Sequence, residues 1–217
     1  MAEDYAARND QGLHRIAKDD PVAIALLKQE HHRFRELFTA AQKAEGTELK
    51  RIATGANTIQ AAVAEEKQVA VLHADGSVAL YSTGGKPLLT VDTPPNTVAV
   101  ALHGKSLVVA TKTRQLELYD AQTGSLRKTF SAGGSKQPRN LDVQGNIAIY
   151  TTGTSGVLHA VNLSSGKDRT IAEPRGGVYL AQMDSAGLVY TDNGFERKFG
   201  RATIVFLPLA RLKAAVG

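Results

Sequence analysis

Apolar residues recur along this chain with two different periods, and the change falls near residue 55. Before it they return every three and four positions: Leu27, His31, Phe34 and Phe38 share one helical stripe, which Ile24 and Ala41 extend. The pattern predicts one long helix. Asp20 supplies a side-chain acceptor for its free N–H groups, Pro21 suits its first position, and Gly46 breaks it after about Lys43. Such a helix is about 35 Å long and must bury its stripe against something, because isolated helices are marginal in water. A short second helix over 48–54 is expected to follow, with Thr47 as cap and Gly55 as stop.

After residue 55 the period falls to two, β-branched residues take over, and turn signals recur at Asp75-Gly76, Gly84-Gly85, Thr123-Gly124, Ser165-Gly166 and Asn193-Gly194. These predict strands joined by hairpins. The segment also repeats itself: NTIQAAVAEEKQVAVLHADGSVALYS from Asn57 overlays NTVAVALHGKSLVVATKTRQLELYD from Asn96. Four apolar cores begin at Val69, Leu107, Ile147 and Leu188, standing 38, 40 and 41 residues apart. Each is followed by another strand (VALY, LELY, VLHAV, TIVF), and in the first three a glycine turn leads to one more. A repeat of about 40 residues with about four strands is the pattern of propeller blades. The chain therefore divides into a helical segment, 1–55, and about four blades, 56–217. The fold class is mainly β with an α-helical N-terminal segment, the β part being a partial or four-bladed β-propeller.

Residues 57–217 resemble the WD-repeat-like and quinoprotein-like β-propellers, and GSVALYSTGGK and RQLELYDAQTGSLRKTF look like blades of bacterial members. The chain departs from both groups in having no tryptophan, hence neither the Trp-Asp dipeptide nor the tryptophan docking motif. What the resemblance implies is therefore a fold rather than a chemistry. Each terminal blade leaves a face uncovered unless the ring closes or something caps it. The helical stripe is one candidate cover for the first blade, and a second chain completing a larger ring is another.

The opening stretch DPVAIALLKQEHHRFRELF resembles the first helix of hemerythrin-like, HHE-type cation-binding domains. In that family the histidine after the acidic residue binds iron, which implies His31, following Glu30, as a metal ligand. A di-metal centre needs further ligands from three more helices, typically at His-x-x-x-Glu spacing, and the sequence supplies none. The competing account makes His31 a histidine hydrogen-bonded at an interface and His32, about 100° around the axis, a solvated neighbour of Glu36. His73, His103 and His159 fall in different blades, without a spacing that makes them converge.

Composition narrows the chemistry. With no cysteine, disulfides, thiolate metal sites and cysteine nucleophiles are excluded. The net charge of +5 arises after residue 55, where seventeen Lys and Arg face twelve Asp and Glu, against nine and nine before it. These cations are scattered, without the clusters or interleaved aromatics of a nucleic-acid surface, so nucleic acid is not the expected partner. No export signal or membrane-spanning run stands out, so a soluble cytoplasmic protein is expected as written, an exported parent being the other case. STGGKP and SSGKD lack the leading glycine of a phosphate loop, Asp75 and Asp192 lack the other oxygens of a calcium loop, and Ser155 lacks the second glycine of a nucleophile elbow.

The expected function is a noncatalytic, propeller-type interaction or scaffold module that binds a protein or peptide through loops around its axis, with no cofactor. The alternative is an iron-binding or oxygen-sensing protein of hemerythrin type acting through His31. An enzyme with a quinone or sugar substrate would rest on fold analogy alone.

Overall fold

The computed structural model describes residues 58–64, 67–153, 156–174, 176–192 and 203–217. The helix expected over 21–43, and His31 on it, lie outside these residues.

The described chain runs through four antiparallel sheets in sequence order, with no strand exchanged between them. The first holds β1 (Thr58–Ala64), β2 (Gln68–His73), β3 (Val78–Ser82) and β4 (Pro87–Val91). The second holds β5 (Thr97–His103), β6 (Ser106–Thr111), β7 (Gln115–Asp120) and β8 (Leu126–Ser131). The third holds β9 (Pro138–Gln144), β10 (Ile147–Thr152), β11 (Leu158–Asn162) and β12 (Asp168–Ala172). The fourth has three strands, β13 (Ala181–Met183), β14 (Gly187–Asp192) and β15 (Thr203–Pro208), followed by a helix, α1 (Leu209–Val216). The first strands of successive sheets are neighbours, β1 beside β5, β5 beside β9 and β9 beside β13, as in propeller blades ranged about an axis.

Why the second strands read as unbroken apolar runs follows from their position. In β6, Leu107 and Val109 pack with Ala70, Leu72 and Leu80 of the first sheet, while Val108 and Ala110 pack with Ala148 and Tyr150 of the third. Both faces are buried, so alternation with polar residues would place polar groups in a core at each step. The outermost strands face water on most positions: β8 exposes Leu126 to Thr129 and buries Phe130 alone at its end. At about 25 cal/mol per Å² of apolar surface, side chains such as Ile149 and Leu158 contribute about 1.5–3 kcal/mol each by leaving water.

The turns carry glycine where the backbone needs it. Gly76 has φ +91°, and a Cβ there would lie 2.6 Å from the Pro95 Cα. Only glycine tolerates both the positive φ and that approach of the β4–β5 connection. Beside it the Asp75 carboxylate accepts from the Ser77 N–H (2.9 Å) and hydroxyl (2.7 Å), bonds that hold its pKa below the usual range. Asp75 is thus a turn residue.

The fourth sheet departs from the repeat. Where the first three add an outer strand, the chain passes Pro208 and turns into α1. Leu212 and Val216, four apart on one helical face, are fully buried against Ile149, Leu158, Ala160 and Leu188, so the helix fills the wedge between the third and fourth sheets. The opposite face of the fourth sheet stays open. Val189 opposes Phe206 as Ile149 opposes Ala160 in the third sheet. Ile149 and Ala160 are buried, whereas Val189, Ile204 and Phe206 are 44%, 74% and 53% exposed. No core cluster joins this face to the first sheet among the described residues.

Candidate functional site

In an antiparallel meander the start of each first strand and the turn between the second and third strands lie at the same end of the sheet. Three successive sheets bring such segments together around a cleft of about 460 Å³. Ala74 comes from the β2–β3 turn, Pro95 from the β4–β5 connection, Thr97, Val98 and Ala99 from the start of β5, and Lys112 from the β6–β7 turn. Gln137, Arg139 and Asn140 complete the wall from the third sheet.

The polar groups of this cleft are held in distinct ways. Asn140 sits at φ +46°, a left-handed conformation that asparagine tolerates better than most residues. Its amide nitrogen donates to Thr151 Oγ1 (2.9 Å) and the Tyr179 carbonyl (3.0 Å), tying β9 to the segment before β13. With the Gln137 amide turned so that its oxygen faces Arg139, that oxygen accepts from Nη2 (2.8 Å) and Nε (3.2 Å) of the guanidinium. Arg139 is therefore fixed by a neutral group. Lys112 is anchored through its backbone N–H, which donates to the Asn96 carbonyl (2.9 Å), and its exposed ammonium has no ion-pair partner among the described residues. Among the described residues two cations line the cleft and no carboxylate does. Asp75 and Asp92 lie in neighbouring segments at the same end, Asp75 being occupied by Ser77.

A part-buried network ties the connection from β8 to β9 to the third sheet. The Asp168 carboxylate accepts from the Tyr150 hydroxyl and the Gly133 N–H (3.1 Å) and pairs with Nδ1 of His159 (2.9 Å). The Gly133 N–H also lies 2.6 Å from the Tyr150 oxygen. The Tyr150 and His159 rings stack, with centroids 5.0 Å apart and planes 6° from parallel. Burial pushes the Asp168 pKa up, but hydrogen bonds from His159, Tyr150 and Gly133 outweigh it, so the carboxyl titrates below its usual range. Burial, followed by the bond to Asp168, raises the Tyr150 phenol. A Cβ at Gly133 would lie 2.9 Å from the His159 ring, so the connection from β8 to β9 closes over the histidine. That connection leads directly into Gln137 and Arg139, and Arg114 donates to its Gly134 carbonyl (3.0 Å) from the β6–β7 turn.

A carboxylate orienting the far nitrogen of a histidine is half of a nucleophile-activating triad. Nε2 of His159 is buried and makes no hydrogen bond, and a Cβ at Gly134 would lie 3.5 Å from it. The network cross-ties the connection from β8 to β9 to β10, β11 and β12. A similar pair, Tyr119 donating to Glu117, sits on β7.

The histidines of the repeat stay apart, His73 ending β2, His103 ending β5 and His159 in β11. No group of three or more His, Asp or Glu suited to a metal occurs among the described residues. STGGKP and SSGKD form the β3–β4 and β11–β12 hairpins, with Gly85 and Gly166 at positive φ. No helix among the described residues is long and apolar enough to cross a membrane. The cleft residues escaped sequence reading because they come in four separate stretches between 74 and 140 with no motif spacing. The Tyr150–His159 contact is a cross-strand pair, legible only once the β10–β11 register is known.

The architecture is propeller-like, four antiparallel sheets stacked face to face. No protein-family model matches the chain, and neither does any curated protein. Solved structures do match. The computationally designed Ika4 protein aligns at TM-score 0.56 and 15% identity, over 74% of this chain and 98% of that one. Kuenenia stuttgartiensis hydrazine synthase aligns at 0.57 and 14%, over 76% of this chain and 50% of that one. The WD40 β-propeller domain of Doa1 aligns at 0.50 and 16%, over 64% and 48%. The chain thus spans nearly the whole designed protein and about half of the other two. At these identities the likeness is one of fold.

Proposed function

We propose that this chain is a noncatalytic interaction module of propeller type, which holds a segment of a protein or peptide in the cleft lined by Ala74, Thr97, Lys112, Arg139 and Asn140. The observation that carries this reading is the construction of the cleft: loops of three successive sheets supply its polar groups, and Asn140 among them is tied to the segment before β13. Rigid sheets presenting loops at one end suit recognition, since little ordering entropy is lost on binding. Selection of a random peptide library on the protein tests it. An enriched sequence family is expected, with binding lost in Ala74→Trp, which places an indole at the cleft mouth from an exposed turn. Enrichment indifferent to that substitution would refute the reading.

The open face of the fourth sheet supports a second property, association of two copies. Val189, Ile204 and Phe206 hold positions that in the third sheet are covered by the next blade. Sedimentation velocity is expected to show a concentration-dependent dimer that Phe206→Glu returns to monomer; monomer at every concentration in the unaltered protein would exclude it.

A further inference from the structure

We infer that the segment held in the cleft is acidic, a peptide that presents glutamate or aspartate carboxylates to Lys112 and Arg139. The inference rests on the binding role proposed above and gives the partner its chemistry.

The charge balance of the cleft carries the argument. Among the described residues Arg127 pairs with Asp120 across the β7–β8 hairpin; what marks the cleft is that two cations without such a pair stand together in one concave site. In the cleft that pairing is missing for both cations. Lys112 has no ion-pair partner among the described residues, and Arg139 is gripped by the amide oxygen of Gln137, which orients the guanidinium without neutralising it. A guanidinium bonded through Nε and Nη2 keeps the hydrogens of Nη1 for a ligand, and its fork fits a carboxylate well. Asn140 completes the set: both nitrogen contacts are committed to Thr151 and Tyr179, which leaves its exposed amide oxygen to accept from a peptide N–H. Uncompensated cations in a concave, partly apolar site focus positive potential outward and draw anionic partners.

Of the anions available, a peptide fits better than a nucleic acid. Among the described residues no aromatic side chain lines the cleft for a base to stack on. Two separated cations do not make a phosphate-tracking stripe. The apolar lining of Pro95, Val98 and Ala99 suits the aliphatic stems of glutamate and a peptide backbone.

Fluorescence anisotropy of labelled octaglutamate, octaglutamine and octathymidylate against the full chain at low salt tests this. Octaglutamate is expected to bind and octaglutamine not to. Lys112→Gln and Arg139→Gln should each weaken octaglutamate about three- to fivefold, as expected for partly exposed pairs. Both sites changed to glutamate should remove binding, with an unaltered melting temperature confirming that these exposed positions are not structural. Equal binding of octaglutamine, no binding of octaglutamate, indifference to the substitutions, or tighter binding of the oligonucleotide at the same residues would each overturn the inference. A library consensus free of acidic residues but blocked by Ala74→Trp would also overturn it while leaving the interaction role standing. A consensus that Ala74→Trp leaves untouched would remove the role itself.

Discussion

Asp168→Ala is expected to lower the free energy of unfolding by about 3 kcal/mol, the range in which breaking a buried, paired charge falls. Two groups lose their acceptor at once, the Tyr150 hydroxyl and Nδ1 of His159, and the Gly133 N–H is left with the Tyr150 oxygen alone. Water replaces the lost acceptor poorly, since Tyr150 and His159 are buried and stacked on one another. Asp168→Asn should be milder, keeping an acceptor oxygen while turning an amide nitrogen towards donors. Urea denaturation measures both, and an unchanged m-value would show that the native state keeps its extent. The same carboxylate sets a pH dependence. Its folded pKa is depressed below the ordinary value of about 3.9, so its contribution is present above that value and is lost as pH falls through the lower folded one. Asp142 works in the opposite sense, burial raising its pKa despite N–H bonds from Met183 and Val143. Acidification relieves a cost there. The Asp168 term is therefore read as the difference between the unaltered protein and Asp168→Ala, which should shrink below about pH 4. A loss under 1 kcal/mol, or one that grows with acid, would contradict this reading of the network.

Leu212→Ala should cost about 3 kcal/mol, and Leu212→Asp should detach α1 from the body. Leu212 is fully buried in the wedge between the third and fourth sheets, among Ile149, Leu158, Ala160 and Leu188. An alanine leaves a cavity that eight residues of helix can only partly collapse. A carboxylate there has no basic neighbour in the cluster to pair with. Lys213→Ala, at the next and exposed position, is the control and should change little. Hydrogen exchange separates the cases: loss of amide protection over 209–216 with the second sheet unaffected marks local detachment, and protection retained in Leu212→Asp would mean that the helix is held by something other than this contact.

These expectations draw on features that differ in how legible they were beforehand. The continuous runs VAVL, LVVA and IAIY announced strands buried on both faces, and the turn glycines punctuated them, because burial on two sides leaves its mark on consecutive residues. The stop of the pattern at the fourth sheet was harder to read. TIVFLPLARL continues the apolar run through Pro208, and the period of Leu209, Leu212 and Val216 shows itself only over the last eight residues. The cleft was illegible for a different reason. Ala74, Lys112, Arg139 and Asn140 are ordinary surface residues in sequence, and only the stacking of three sheets assembles them. His159 stood out as an imidazole, yet its partner nine residues on is fixed by the turn between β11 and β12 rather than by any spacing rule. The helical stripe containing His31 is read from its period alone, and the iron content of the purified full chain tests its resemblance to a metal-binding helix.

The most direct test of binding through the cleft is hydrogen exchange of the protein with and without a library-selected peptide. Slowed exchange is expected at 95–99, 112–114 and 137–140, with the turns at the opposite end, 83–86, 104–105 and 121–125, unchanged. Protection confined to those opposite turns, or to the open face around Val189 and Phe206, would contradict the account.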